Sequence, residues 1–208
     1  MKWAIKPTVF LACLTPVCIL GWNLFTDNLS ANPIDDITDT TGTWTLRFLM
    51  ITLSITPLRK LTGWNNLIQL RRMLGLFAFF YVCLHFITYI WLDKFFEFEE
   101  VWKDIEKRLF ITVGFTAFVL LIPLAVTSTK GMIRRLGGKH WNTLHKLIYI
   151  AAMCGVIHYL WLVKADIQRP LTYGGVLTFL LGYRLYDYLR KRSKPKRVAP
   201  SSLYASSE

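Results

Sequence analysis

Long apolar segments separated by short polar ones make up most of this chain of 208 residues. A membrane-spanning helix needs roughly 17–25 residues, and five of the six apolar segments reach or closely approach that length. The second is long enough if it starts near Thr41 and includes Arg47. The pattern predicts an all-α membrane protein, a six-helix transmembrane bundle in one domain (1–189) with a basic, Ser-rich tail (190–208). The predicted spans are 9–25, 41–58, 73–92, 109–126, 144–163 and 171–189.

Composition agrees with a membrane location and limits the chemistry of the chain. A hydrophobic fraction of 53% and a mean hydropathy of +0.36 are too high for an ordinary soluble domain. The sequence contains neither a G-x-G-x-x-G nor a P-loop pattern, so the chain has no nicotinamide- or flavin-binding domain of its own. It also shows no zinc pattern or nucleophile triad. Any redox function therefore needs partners that supply and use the electrons.

The formal charge of +12 is divided unevenly along the chain. Lys and Arg concentrate at the amino terminus, in the second and fourth connections and in the tail, whereas most acids lie in the other connections. Lys and Arg in short loops mark the cytoplasmic side, which places both termini in the cytoplasm. This alternation also argues against nucleic-acid binding. The basic positions are Lys2, Lys6, Arg59, Lys60, Arg71, Arg72, Lys130, Arg134, Arg135, Lys139, Arg184, Arg190, Lys191, Arg192, Lys194, Lys196 and Arg197.

Two histidines lie deep inside predicted spans, where an ionisable side chain is costly unless it meets a cavity, a partner or a metal. At 1.5 Å per residue, His85 lies about 18 Å along the third span and His158 about 21 Å along the fifth. Both spans run outward, so the two side chains lie at matching depth in the outer half of the membrane. Two facing imidazoles are the ligands of a six-coordinate b-type haem. The alternative is that each histidine only bonds a polar group of a neighbouring helix.

The inner side of the predicted bundle gives a weaker signal. His145 starts the fifth span, but it is rotated about 220° from His158 on a straight helix, although a bend near Gly155 could change that. Arg71 lies 14 residues before His85 on the third span, within about 40° of the same helix face, so a second haem there would meet His145 on one helix and an arginine on the other. Arg71 and Arg72 could bind haem propionates or a flavin phosphate, or could be ordinary cytoplasmic anchors. His140 is expected to lie beside the membrane.

Several short motifs occur in a fixed order over nearly the whole chain. They are Ile55-Thr56-Pro57-Leu58, Arg71-Arg72-Met73-Leu74-Gly75-Leu76, Leu84-His85, Tyr89, Thr127-Ser128-Thr129, Leu136-Gly137, Lys139-His140-Trp141, Leu144-His145 and Ile157-His158-Tyr159-Leu160-Trp161. In this order and spacing they resemble the MsrQ (YedZ) family. One departure is Gly137-Gly138, where the family usually has a single glycine.

The resemblance implies a ferric-reductase-like transmembrane domain in a bacterial inner membrane. It implies b-type haem, associated FMN, and electron transfer to MsrP, a periplasmic molybdopterin enzyme that reduces methionine sulfoxide in oxidised proteins. By position, His85 and His158 match the haem ligands of the family and His145 its third candidate. The electron donor is expected to be quinol, bound flavin or a cytosolic flavin reductase. The sequence leaves open one haem or two and the residues that bind FMN.

Two other classes of function remain as alternatives. One is a stand-alone ferric or cupric reductase module, and the other is a non-redox transporter or scaffold. Two surfaces are candidate contacts: the tail, for anionic lipid or a cytosolic flavin reductase, and the acidic connection from Asp93 to Arg108, for a redox partner or the lipid headgroups.

Overall fold

The computed structural model describes residues 5–193, and within them every regular element is helical. The prediction of an all-α fold is therefore confirmed. A 3-10 turn precedes α3 and a π-helical turn, Tyr89–Asp93, extends it. Lys2 and the tail from residue 194 onward lie outside the described residues. The helices are α1 (Ile5–Phe25), α2 (Pro33–Thr62), α3 (Ile68–Thr88), α4 (Phe98–Lys107), α5 (Leu109–Val126), α6 (Lys130–Leu144), α7 (Leu147–Leu162) and α8 (Gln168–Arg192).

The long helices pack side by side in alternating directions around α2. Helix α2 contacts α3, α7, α8 and α1, and α5 packs along α7. The core consists of apolar side chains at helical spacing, such as Leu46, Leu49 and Leu53 of α2. One end of the bundle, which carries His85 and His158, is called the histidine end. The opposite end, which carries Arg59, Lys60, Arg71 and Arg72, is called the basic end.

Among residues 5–193, three helical segments are long and apolar enough to cross a membrane: Ile5–Phe25, Asn65–Asp93 and Leu109–Val126. A fourth is possible if α6 and α7, which meet at 44°, form one bent span. The six predicted spans each coincide with a long helix, but α7 has only 16 residues, and α2 and α8 are too polar to pass the same test. Helix α2 lies within the bundle, where its polar residues contact protein. Six spans therefore stay a prediction.

Two boundaries differ from the sequence-based expectation. A bend near Gly155, which could have brought His145 onto the side of His158, does not occur in α7, which continues through Gly155; the chain bends instead at His145 and Lys146, between α6 and α7. Gly137 has φ 73° and ψ 150°, a backbone conformation that glycine adopts readily, and this breaks α6. The last helix, α8, is longer than the predicted span 171–189 and continues to Arg192. The first three basic residues of the predicted tail therefore belong to its last turn.

A tyrosine couples α1 to the helix that carries His85. The Tyr81 hydroxyl accepts from the Val17 N–H at 3.1 Å and donates to the Cys13 carbonyl at 2.9 Å. In an unbroken helix those two backbone groups would bond each other. Pro16 lies between Cys13 and Val17 and interrupts the bonding of the helix. The Tyr81 hydroxyl therefore bonds two backbone groups of α1 beside this proline.

The acidic connection forms α4, which is fastened to α3 through one carboxylate. Asp104 is buried, pairs with Lys94 at 2.8 Å and accepts from the Tyr89 hydroxyl at 3.0 Å. Burial opposes ionisation of Asp104, but the bonds from Lys94 and Tyr89 outweigh it and hold its pKa below the usual value. An ionised Asp104 therefore stabilises the α3–α4 connection.

We predict that Asp104→Asn lowers the free energy of unfolding at neutral pH by about 1–3 kcal/mol, the usual range for hydrogen bonds to a charged group. A carboxyl with a depressed folded-state pKa loses its stabilising effect as the pH falls through that pKa. The difference between variant and wild type should therefore shrink below about pH 4. Thermal unfolding in detergent across a pH series measures it. Glu106→Gln, an exposed acid on the same helix, is the control, and a difference independent of pH would contradict the assignment.

Candidate functional site

His85 on α3 and His158 on α7 face each other at the histidine end. Their ring centroids are 6.2 Å apart and the ring planes are nearly perpendicular, at 82°. Both side chains are half-buried. The structure thus brings together the two residues that the depth argument paired, while their role as metal ligands stays a prediction.

Each of these imidazoles bonds a backbone carbonyl of the helix beside it. His85 Nδ1 lies 3.0 Å from the Thr38 oxygen on α2, and His158 Nδ1 lies 2.7 Å from the Phe110 oxygen on α5. A carbonyl only accepts hydrogen bonds, so Nδ1 carries the hydrogen in both rings and Nε2 keeps its lone pair. Among residues 5–193, neither Nε2 atom has a hydrogen-bonding partner. Both lone pairs are available to a ligand.

This geometry distinguishes the two interpretations of the histidines. Bonding to a neighbouring helix accounts for Nδ1 in each ring but leaves both Nε2 atoms unexplained. An imidazole nitrogen binds a metal at about 2.0–2.1 Å, so two imidazoles on opposite sides of one metal have centroids roughly 6 Å apart. The observed 6.2 Å fits that separation.

The surroundings of the histidine pair favour haem over a bare metal ion, because the porphyrin of haem would supply the remaining ligands of the iron. Within the described part of the chain, no group of three or more His, Cys, Asp or Glu side chains could hold a metal ion. Two histidines alone are a poor site for a bare ion but supply both axial ligands of a haem. The neighbouring wall is aromatic, with Phe86 stacked on Phe118 at 4.5 Å and Phe110 at 6.1 Å from His158. The site fits a haem.

Glycines lie directly opposite both imidazoles. A Cβ atom on Gly42 would lie 3.0 Å from His85 Cε1, and a Cβ on Gly114 would lie 2.6 Å from His158 Nδ1. Sequence reasoning missed both residues. Each lies far from its histidine in sequence, and glycine is frequent in membrane helices, so no local pattern identifies them.

A second polar cluster lies near the basic end, around His145. Its ring stacks on Trp141 at 3.8 Å between centroids, and Nδ1 donates to the Trp141 carbonyl at 3.1 Å. Nε2 is buried without a hydrogen-bonding partner of ordinary geometry, although the Leu124 carbonyl is a neighbour of the ring. Arg71 is close enough to His145 to interact with it electrostatically.

Arg184 of α8 joins this cluster, and sequence reasoning did not identify it as a site residue. It donates to the Tyr149 hydroxyl at 3.0 Å and to the Leu53 carbonyl at 2.7 Å, and it interacts electrostatically with Arg71. Within residues 5–193, neither Arg71 nor Arg184 pairs with a carboxylate; Asp187, the acid nearby on α8, is engaged by Lys60 and Lys191. The other buried side-chain atoms without partners in that range are Thr52 Oγ1, Thr56 Oγ1 and Arg184 Nε.

The structure separates the remaining candidates from both clusters. Arg72 and His140 are exposed. His145 lies with Arg71 and not with the His85–His158 pair, so the described residues form one two-histidine site and one basic site. The orphaned polar atoms and unneutralised guanidinium groups of the basic site fit an anionic or polar ligand.

Comparison with known proteins first defines a class. Residues 41–156 match the family described as "Ferric reductase like transmembrane component". This range includes Gly42, His85, Gly114 and His145 and ends just before His158. The histidine pair, the helical bundle and this match together define a ferric-reductase-like membrane protein.

Curated relatives narrow the class. Proteins named "Protein-methionine-sulfoxide reductase heme-binding subunit MsrQ" match over nearly their whole length: 54% identity for Herminiimonas arsenicoxydans, covering 95% of this chain and 92% of that protein. The Rhodospirillum rubrum protein is 52% identical, covering 93% and 92% respectively, and the Azospira oryzae protein is 50% identical, covering 95% and 88%. The chain belongs to the MsrQ family of heme-binding subunits of the methionine-sulfoxide reductase system, as its sequence motifs predicted.

Proposed function

We propose that His85 and His158 hold one b-type haem, and that the subunit delivers electrons to a periplasmic molybdopterin methionine-sulfoxide reductase of the MsrP type. The observation that carries the proposal is the pair of facing imidazoles, each with Nδ1 bonded to a backbone carbonyl and Nε2 left free. Sulfoxide reduction belongs to the partner, because a haem held by two histidines would have no open position for substrate.

The chain's own residues orient the two ligands and keep water away from them. The Thr38 and Phe110 carbonyls fix the Nδ1–H tautomer and raise the basicity of Nε2. The phenylalanines of α3 and α5 form an apolar wall beside the pair. When bound, haem supplies a one-electron couple that operates without binding substrate.

The arrangement of charge supports a six-span topology with both termini cytoplasmic. Successive long helices run in opposite directions, and Lys and Arg collect at the basic end. Eleven of the chain's acids lie in the connections at the other end. With the basic end in the cytoplasm of a bacterial inner membrane, the histidine pair lies near the periplasm. We propose membrane quinol or a cytosolic flavin reductase as the electron donor.

We predict that His85→Ala and His158→Ala each remove the same haem. Loss of a hydrogen-bonding partner of a metal ligand typically lowers the metal affinity roughly 10–100-fold. Loss of a histidine that holds the haem should lower the haem affinity by more than that. Haem per polypeptide and the reduced-minus-oxidised spectrum measure the effect. His145→Ala should leave this haem largely intact, and His140→Ala is an exposed control. Complete haem loss in His145→Ala with none in His85→Ala would contradict the assignment.

The basic site is the proposed place for a second cofactor with an anionic group, either FMN or a second haem. Arg71 and Arg184 supply two guanidinium groups that no carboxylate of the described residues neutralises, and guanidinium pairs bidentately with phosphate and carboxylate. His145 Nε2 is a free, buried ligand atom beside them. Arg72 is exposed, so its charge can only attract an anionic cofactor from a distance.

Arg71→Gln should therefore lower the flavin or second-haem content of the purified protein several-fold without changing the haem of the His85–His158 pair. Loss of one charge-assisted bond accounts for that direction and size. Flavin and haem quantitation on the same sample measures both. Arg72→Gln is the matched control next to it in the sequence. Equal cofactor content in wild type and Arg71→Gln, or equal loss in both variants, would rule out this site.

Helix α4 and the residues before it are the proposed contact for the periplasmic partner. Phe95, Phe96, Phe98 and Trp102 are exposed, and Phe95 and Phe96 have positive φ angles of 46° and 63°. Non-glycine residues adopt this conformation at a cost, and here it presents two rings at the surface. Glu97, Glu99 and Glu100 lie beside them. Small, charge-steered contacts are typical of transient electron-transfer complexes.

Replacing Glu97, Glu99 and Glu100 with Gln should slow electron delivery to the partner several-fold at low salt. The loss should shrink above 0.15 M salt, where the screening length is about 8 Å. The rate at which the partner reoxidises dithionite-reduced haem measures it. The Asp27→Asn, Asp35→Asn double variant removes acids at the same end without touching α4. Equal reoxidation rates in the triple variant and wild type would leave the aromatics as membrane-interface anchors only.

A further inference from the structure

We propose that Gly42 and Gly114 are positioning residues that seat the two histidines by one repeated backbone arrangement. In each case a glycine on one helix lies against the imidazole of the next, and the carbonyl four residues before that glycine accepts the imidazole Nδ1–H. The proposal rests on the proposed haem function, because its consequences appear in the properties of the bound haem.

The two arrangements match in detail. On α2 the carbonyl is that of Thr38 and the glycine is Gly42, and His85 follows the carbonyl residue by 47 positions. On α5 the carbonyl is that of Phe110 and the glycine is Gly114, and His158 follows the carbonyl residue by 48 positions. The α2–α3 pair and the α5–α7 pair therefore present their histidines in the same way.

Helix geometry explains why glycine suits the position four residues after the carbonyl. In an α-helix the carbonyl of residue i already accepts the N–H of residue i+4, and its second lone pair points outward beside that residue. A donor from a neighbouring helix reaches this lone pair only by passing the Cβ of residue i+4. At Gly114 a Cβ would lie 2.6 Å from Nδ1 and 2.9 Å from Cε1, closer than side chains tolerate. At Gly42 the corresponding distances are 3.1 and 3.0 Å.

The arrangement sets two properties of the ligands. The Nδ1–H bond lies in the plane of its imidazole, so the positions of the two carbonyls fix the two ring planes, which are 82° apart. The bond also increases the basicity of Nε2, which favours the ferric form and lowers the reduction potential of the haem. The bond of His158 is the shorter, at 2.7 Å against 3.0 Å, so it makes the larger contribution.

The test compares Gly42→Ala and Gly114→Ala with Gly75→Ala, all in the full-length protein purified from membranes. A Cβ on Gly75, in the same α2–α3 interface as Gly42, would meet only Thr52 Cγ2 at an ordinary 3.7 Å. The readouts are haem per polypeptide, midpoint potential, and the low-spin ferric electron paramagnetic resonance spectrum. The electron paramagnetic resonance spectrum depends on the angle between the imidazole planes, and a packing change that leaves the rings in place does not alter it.

We expect Gly42→Ala to keep haem with a higher midpoint potential and changed g-value anisotropy, and Gly114→Ala to change more or to lose haem several-fold. Gly75→Ala should match wild type. Should Gly114→Ala fail to accumulate in the membrane, Gly42→Ala, where the contact is less severe, decides the question. Wild-type spectrum and potential in Gly42→Ala would overturn the proposal, as would the same change in Gly75→Ala. Absence of haem from the wild-type protein would instead overturn the proposed function.

Discussion

Two hydrogen bonds from imidazole to backbone carbonyl determine what the histidine end of this bundle can do. A neutral imidazole at membrane depth has one donor and one acceptor, and a bilayer offers partners for neither. The Thr38 and Phe110 carbonyls take the donors, so the acceptors are directed to whatever lies between α3 and α7. Without these bonds, either nitrogen could carry the hydrogen and the ligand atom would not be defined.

The same bonds link the helices in two pairs. Each histidine bonds a carbonyl of a neighbouring helix, which joins α3 to α2 and α7 to α5 in addition to their apolar contacts. In the first pair a short turn connects the helices, whereas α6 intervenes in the second and meets α7 at 44°. His145 lies at that joint, which explains why it contacts Trp141 and Arg71 and is remote from the axis of His158.

The sequence was sufficient for three predictions. The length of the apolar segments predicted the helical class, the order of the motifs predicted the family, and the matching depth of His85 and His158 along their spans predicted that they lie together. Features that depend on contact between distant residues were not predictable. Gly42 and Gly114 become informative only once the facing histidine is known, and Arg184 looks like one basic residue of many until it meets Leu53 and Tyr149. A glycine inside a helical pattern allows a bend without requiring one, and α7 continues through Gly155 while the chain bends between α6 and α7. Tyr81 likewise carried no signal of its bond to α1.

Charge acts in two distinct ways at the two ends. Glu97, Glu99 and Glu100, at the start of α4, are exposed, and ions screen them beyond about 8 Å at physiological salt, so in the proposed partner contact they act on the rate of encounter. Arg71 and Arg184 are enclosed by helices, and screening there is much weaker, so their field acts on any group bound beside His145. An anionic cofactor at that position would be stabilised in its reduced, more negative form. Under the proposed function, surface charge would therefore act on the rate of encounter between proteins, and the charge of Arg71 and Arg184 on the reduction potential of a bound cofactor.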